Sequence, residues 1–190
     1  MIEGYNLGKT RAKFIFTRVF PLISLFVLCL SLYGCIADEE PSGASIGIGD
    51  SLPKFSVTLS DGSLVDNSTL SGKVGMIVFF NTECPDCQKE LPEVQKVWET
   101  FKDNSDVIIV PIAREESASQ IQQYWSTHDL SMPYSPQENR QVYSLFAKSI
   151  IPRIYICNPQ GRIVFISTDQ NMPSAETLIP LIKSLLSEAS

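Results

Sequence analysis

An uncharged run, Val74-Gly75-Met76-Ile77-Val78-Phe79-Phe80, ends just ahead of the tetrapeptide Cys84-Pro85-Asp86-Cys87. Beyond it Leu91, Val94, Val97, Trp98 and Phe101 recur at three- and four-residue spacing. The first pattern reads as a strand buried on both faces, the second as an amphipathic helix from Pro85 to about Lys102. The cysteine pair therefore falls where a buried strand gives way to a helix. There the free N–H groups and the helix dipole favour negative charge, so Cys84 is expected to be the exposed attacking thiolate. Cys87, one turn further in, is expected to be the more buried resolving thiol. Pro85 fits the first turn, where its missing N–H costs nothing, and Pro92 is expected to kink the helix.

Other uses of the pair fit less well. A structural zinc site takes four ligands, and outside the pair only Cys157 and His128 are candidates. A disulfide closing so short a loop would stabilise little through chain entropy. No metal and no cofactor are expected beyond a redox-active Cys84–Cys87 disulfide. Cys157 is read as core filling, His128 as a solvated helix-end residue, and Trp98 and Trp125 as core.

Around this unit the chain has an α/β rhythm. Phe55–Leu59 and Ser63–Val65, joined through Asp61-Gly62, predict a β-hairpin. Val107–Ile112 is a second buried strand, and Ser117–His128 a helix. Gln137–Ala147 is predicted helical, Arg153–Cys157 and Arg162–Ile166 pair as a hairpin about Asn158-Pro159-Gln160-Gly161, and Ser174–Leu186 closes as a helix. At roughly 100–200 residues per domain, 190 residues hold one globular domain, expected over 47–190. The fold class is α/β: a mixed sheet flanked by helices, with an N-terminal β-hairpin.

The first 34 residues read as an address. Lys9, Arg11, Lys13 and Arg18 precede an apolar stretch, Val19–Leu32, too short to span a bilayer and of signal-peptide length. It ends Leu32-Tyr33-Gly34-Cys35, which resembles a bacterial lipobox, making Cys35 the lipidated residue and 35–46 a flexible tether. Ile36 after that cysteine resembles an outer-membrane sorting signal. Loss of residues 1–34 would remove four bases and one acid and carry the formal charge from −6 to −9. An acidic chain without a basic stripe argues against nucleic-acid binding. In an oxidising envelope the cysteine pair can persist as a disulfide and needs a partner to act on it.

The run Phe79-Phe80-Asn81-Thr82-Glu83-Cys84-Pro85-Asp86-Cys87-Gln88-Lys89-Glu90-Leu91-Pro92 resembles the thioredoxin superfamily, and within it the extracytoplasmic TlpA/ResA-like thiol-disulfide oxidoreductases. Gly49-Asp50-Ser51-Leu52-Pro53-Lys54-Phe55, Asp61-Gly62 and Leu70-Ser71-Gly72-Lys73 match that family's opening. The resemblance implies a thioredoxin-like fold, Cys84 as nucleophile, Cys87 as resolving cysteine and Pro92 as the helix-kinking proline. It implies that Pro152 is a cis-proline facing the disulfide, with Ile151, Pro85 and Asp86 on the surface that meets the substrate. Glu90 matches an active-site glutamate of the ResA-like branch and would shuttle the proton of Cys87. Partners so implied are protein thiols and disulfides of the cell envelope, an unidentified electron donor, and the membrane through the lipid on Cys35.

The sequence also departs from that pattern. Glu83 stands where many relatives have Trp, and Val78 replaces the buried aspartate of thioredoxins. Negative charge at Glu83 and Asp86 disfavours the Cys84 thiolate, so the pair is expected to act as a reductant. The alternative is a copper- or metal-handling or interaction module on the same fold. Copper chaperones there space the cysteines by three residues and add a later histidine; here the spacing is two and His128 comes too early. Peroxiredoxins place Thr three residues before the reactive cysteine, whereas Thr82 is two before Cys84.

Overall fold

β3 (Val74–Phe80) is buried at every position and sits inside a four-stranded sheet. The structure, a computed structural model, describes residues 46–188. Cys35, the signal segment and most of the tether lie outside the described residues. The chain first forms β1 (Ser56–Thr58) and β2 (Leu64–Asp66), an antiparallel hairpin turning through Asp61-Gly62. Gly62 has φ +85°, a left-handed value that glycine adopts without a Cβ clash. This hairpin is a sheet of its own, separate from the central one.

After β3 come α1 (Pro85–Phe101), β4 (Val107–Ala113), α2 (Ala118–Thr127), β5 (Arg153–Cys157), β6 (Ile163–Ser167) and α3 (Ala175–Glu188). The central order is β4-β3-β5-β6. β3 runs parallel to β4, which requires a crossover, and α1 supplies it. β5 pairs antiparallel with β3, and β6 with β5. Successive side chains of β3 point to opposite faces. Phe79 meets Tyr143, Phe146 and Tyr155 on one face, and Phe80 meets Trp125 of α2 on the other. Both faces are thus covered, as the uninterrupted apolar run requires. Among the described residues no helix is long and apolar enough to cross a membrane.

Gly75 is opposite Cys157 in the β3–β5 ladder. A Cβ there would lie 2.7 Å from Cys157 Sγ and 2.9 Å from Leu70 Cδ2. Cys157 is fully buried in the space this glycine leaves.

The predicted helix over Gln137–Ala147 does not form; only Tyr143–Leu145 makes a single 3₁₀ turn. Gln137 is drawn into an antiparallel bridge with Glu116, and the Asn139 side chain accepts the Gln141 N–H. A short polar side chain that bonds its own backbone competes with the helical ladder. β1 is two residues shorter than predicted, β2 has the predicted length but is shifted by one residue, and β6 begins one residue later, beside a register shift between Ile156 and Cys157.

Candidate active site

Cys84 is the N-cap of α1, with extended backbone angles of φ −80° and ψ 118°, and Pro85 opens the helix. Cys84 is half-buried and Cys87 fully buried, both as thiols. The unequal exposure follows from helix geometry. The cap residue stands at the mouth of the helix, whereas position 87 turns inward with Glu90, Leu91 and Val94. Burial drives the Cys87 thiol well above its ordinary range, and the neighbouring Cys84 and Glu90 push the same way.

Cys84 Sγ lies 3.7 Å from the carbonyl oxygen of Ile151. The Ile151–Pro152 peptide bond is cis, and both residues are buried at the start of β5. Two segments far apart in sequence are thereby brought to the same sulfur.

Glu90 is 3% exposed, and neither carboxyl oxygen has a hydrogen-bond partner. Burial raises its pKa to about 8. The group is therefore mostly neutral at pH 7 and can exchange a proton near neutrality. Pro85 is exposed on the rim, and Asp86 forms a 2.8 Å ion pair with Lys89. That pairing offsets part of the negative charge expected to act on Cys84; Glu83 is exposed, with no ion pair among the described residues.

The loop ahead of Cys84 is fastened to the end of β4, which sequence reasoning missed. The Arg114 N–H donates to Phe80 O, and Asn81 Nδ2 donates to Arg114 O. The Thr82 N–H donates to Glu116 Oε2 at 2.9 Å, and the Thr82 hydroxyl donates to Glu116 Oε1. Asn81 Oδ1 accepts the Glu83 N–H, Asn81 O accepts the Cys84 N–H, and Gln88 Nε2 donates back to Thr82 O. Glu116 is 2% exposed. Glu115, at φ +60°, turns the chain so that Glu116 points inward under the loop. In sequence Glu116 is simply an acid before a helix cap, and nothing marks it.

Beside the loop a groove of about 280 Å³ is lined by Thr82, Glu83, Glu116, Gln120, Tyr124 and His128. His128 ends α2, stacks on Tyr124 at 3.8 Å between ring centroids, and bonds Tyr124 O through Nδ1. A larger cavity of about 650 Å³, between β1 and α2, is lined by neither cysteine. Among the described residues no three His, Cys, Asp or Glu side chains are grouped to hold a metal ion. Cys157 lies beside Gly75 at the start of β3, and Cys84 follows the other end of that strand.

The AhpC/TSA family model matches residues 48–166, from the lead-in to the hairpin through β6. The chain belongs to the AhpC/TSA family. Within it the chain is similar to the thiol-disulfide oxidoreductase ResA of Bacillus subtilis (strain 168). The two are 28% identical over 163 residues, covering 85% of this chain and 88% of that protein. ResA of Bacillus cereus is 25% identical over 151 residues, covering 77% and 84%. A Bacteroides thetaiotaomicron protein of known solution structure superposes with a TM-score of 0.69 at 28% identity, over 75% of this chain and 91% of that one. A thioredoxin-family thiol:disulfide interchange protein from Chlorobium tepidum shares the fold, with a TM-score of 0.63 at 22% identity, over 75% and 99%. The fold is thioredoxin-like, and these similarities place the chain among thiol-disulfide oxidoreductases.

Proposed function

We propose that this family member exchanges its Cys84/Cys87 dithiol with disulfides of extracytoplasmic proteins, as a reductant. The observation that carries the reading is the unequal pair: a half-exposed Cys84 at a helix mouth over a buried, strongly protonated Cys87 beside Glu90. The Cys84 thiolate attacks one sulfur of a client disulfide. A mixed disulfide forms, and the other client sulfur leaves as a thiolate that takes a proton from solvent. Cys87 then attacks Cys84 Sγ, and its proton passes to the Glu90 carboxylate. The second client sulfur leaves as a thiolate and takes up the proton that Glu90 received, so the client is reduced by two electrons to a dithiol and Cys84–Cys87 is left as a disulfide. A separate dithiol donor must return two electrons and two protons.

The same chemistry supports a place outside the cytoplasm, where client disulfides persist. The tether and a lipid on Cys35 would hold the domain at the membrane surface of the cell envelope. Insulin reduction driven by dithiothreitol tests the exchange. The wild-type chain should accelerate precipitation of the insulin B chain, and Cys84→Ser should abolish the acceleration. Cys87→Ser should accumulate mixed disulfides. Equal rates for wild type and Cys84→Ser would overturn the reading.

A further inference from the structure

We propose that Tyr143 and Arg153 are positioning residues that clamp the loop opposite Cys84, holding ready the backbone on which a client strand is laid; this rests on the exchange reading above. The loop contains a conformation that isoleucine avoids. Ile150 has φ +67°, in the left-handed region where a β-branched side chain is strained. Such a conformation persists only where its surroundings over-determine it, and it points to a use for the loop.

The surroundings are specific. The Tyr143 phenol carries a single proton, which Ser149 O and Ile150 O, the latter at 2.7 Å, share as acceptors. Arg153 Nε donates to the same Ile150 O at 3.3 Å. With the Ile150 carbonyl held inward, the next one, Ile151 O, faces Cys84 Sγ.

The clamp is itself fixed. Tyr143 is 1% exposed, with the Phe79 ring 5.3 Å away, nearly perpendicular, and the Arg114 and Arg140 guanidinium groups each 5.3 Å from its ring centroid. Burial raises the Tyr143 pKa, so the phenol keeps the proton it donates. Arg153 Nη1 reaches the Tyr155 hydroxyl at 3.4 Å, and that hydroxyl donates to Phe146 O at 3.2 Å. The loop is thus tied into β5 and the 3₁₀ turn.

An extended client that adds strand-like to the loop depends on where the Ile151 backbone points. A small symmetric disulfide needs no strand pairing and reaches Cys84 directly. Loosening the clamp should therefore weaken protein clients and spare small ones. A merely structural role would leave the ratio of insulin to small-disulfide activity unchanged at temperatures well below unfolding.

The test uses the full chain in detergent, with wild type, Tyr143→Phe and Arg153→Met compared well below their measured melting points. The substrates are insulin and 5,5′-dithiobis(2-nitrobenzoate). For Tyr143→Phe the expected KM for insulin is raised roughly tenfold with kcat changed by less than about twofold, the size of one lost hydrogen bond acting on binding. The rate with the small disulfide should be unchanged. Amide hydrogen exchange at Ile150 and Ile151 should speed up. An unchanged insulin KM in both variants, or an equal loss with both substrates, overturns the proposal. Arg153→Met gives the same readouts if Tyr143→Phe does not fold. A wild-type chain inert toward both substrates sinks the exchange reading instead. The clamp is then judged by hydrogen exchange, where unchanged protection in the variants overturns it.

Discussion

Glu90 is a buried acid whose carboxyl oxygens have no hydrogen-bond partner, and the proposed exchange would use that isolation. Its pKa of about 8 leaves it protonated at pH 7 and increasingly ionised above that value. A base must be ionised to accept the Cys87 proton, so resolution of a mixed disulfide should accelerate from pH 6 to pH 9 with a midpoint near 8. Glu90→Gln cannot accept the proton and should flatten this rise while leaving the first attack by Cys84 intact. Stopped-flow release of a fluorescent thiol from the mixed disulfide reads the step. A rise of the same midpoint in Glu90→Gln would assign the titration elsewhere. Thr82 is the second residue with a defined cost. Thr82→Val removes the hydroxyl bond to buried Glu116 and leaves Oε1 without that donor. The expected loss is about 1–3 kcal/mol in urea unfolding, because a buried carboxylate oxygen keeps its desolvation penalty when a partner goes.

At the scale of elements, β3 and α1 were legible because each carries a period that admits one reading. An apolar run followed by Cys-Pro at a helix start leaves little choice, and the fully buried strand and the Cys84 cap follow from it. The segment from Gln137 to Ala147 was not legible. Its apolar residues have helical spacing, but Gln137 and Asn139 find better partners in Glu116 and the local backbone. The fastening of the active loop was invisible for another reason: Thr82 and Glu116 are 34 residues apart, and no periodicity links them. Ile150 was hidden likewise, since nothing in its neighbours' identities announces a positive φ. The contact between β3 and β5 yields its own prediction. Gly75→Ala puts a Cβ 2.7 Å from Cys157 Sγ and 2.9 Å from Leu70 Cδ2, inside a buried ladder. Overpacking of this kind costs about 1–3 kcal/mol. Cys157→Ala and Gly75→Ala together should recover part of it, because the sulfur is the nearer obstacle. A double variant no more stable than Gly75→Ala alone would place the strain on Leu70.

For the molecule as a whole, the buried acid makes stability depend on pH in the direction opposite to that of a paired carboxylate. In the unfolded chain Glu90 titrates near 4.5, and in the fold near 8. Below about 4.5 both states hold the proton and the pH-dependent part of the Glu90 cost vanishes. Between 4.5 and 8 the unfolded chain releases a proton that the fold retains, so stability falls as pH rises. Above 8 both states are ionised and the fold bears the full penalty, on the order of 5 kcal/mol for a shift of this size. Cys87 acts in the same direction at higher pH, since its thiol titrates near 9.0 when unfolded and well above that when buried. Urea midpoints of the reduced protein should therefore drop from pH 5 to pH 8, and keep dropping past pH 9. Glu90→Gln should remove the first decline and preserve the second. Oxidation to the Cys84–Cys87 disulfide should remove the second, because no Cys87 proton remains to titrate. A reduced wild-type chain equally stable at pH 5 and pH 8 would mean that Glu90 reaches water in solution and that burial does not hold it neutral at pH 7.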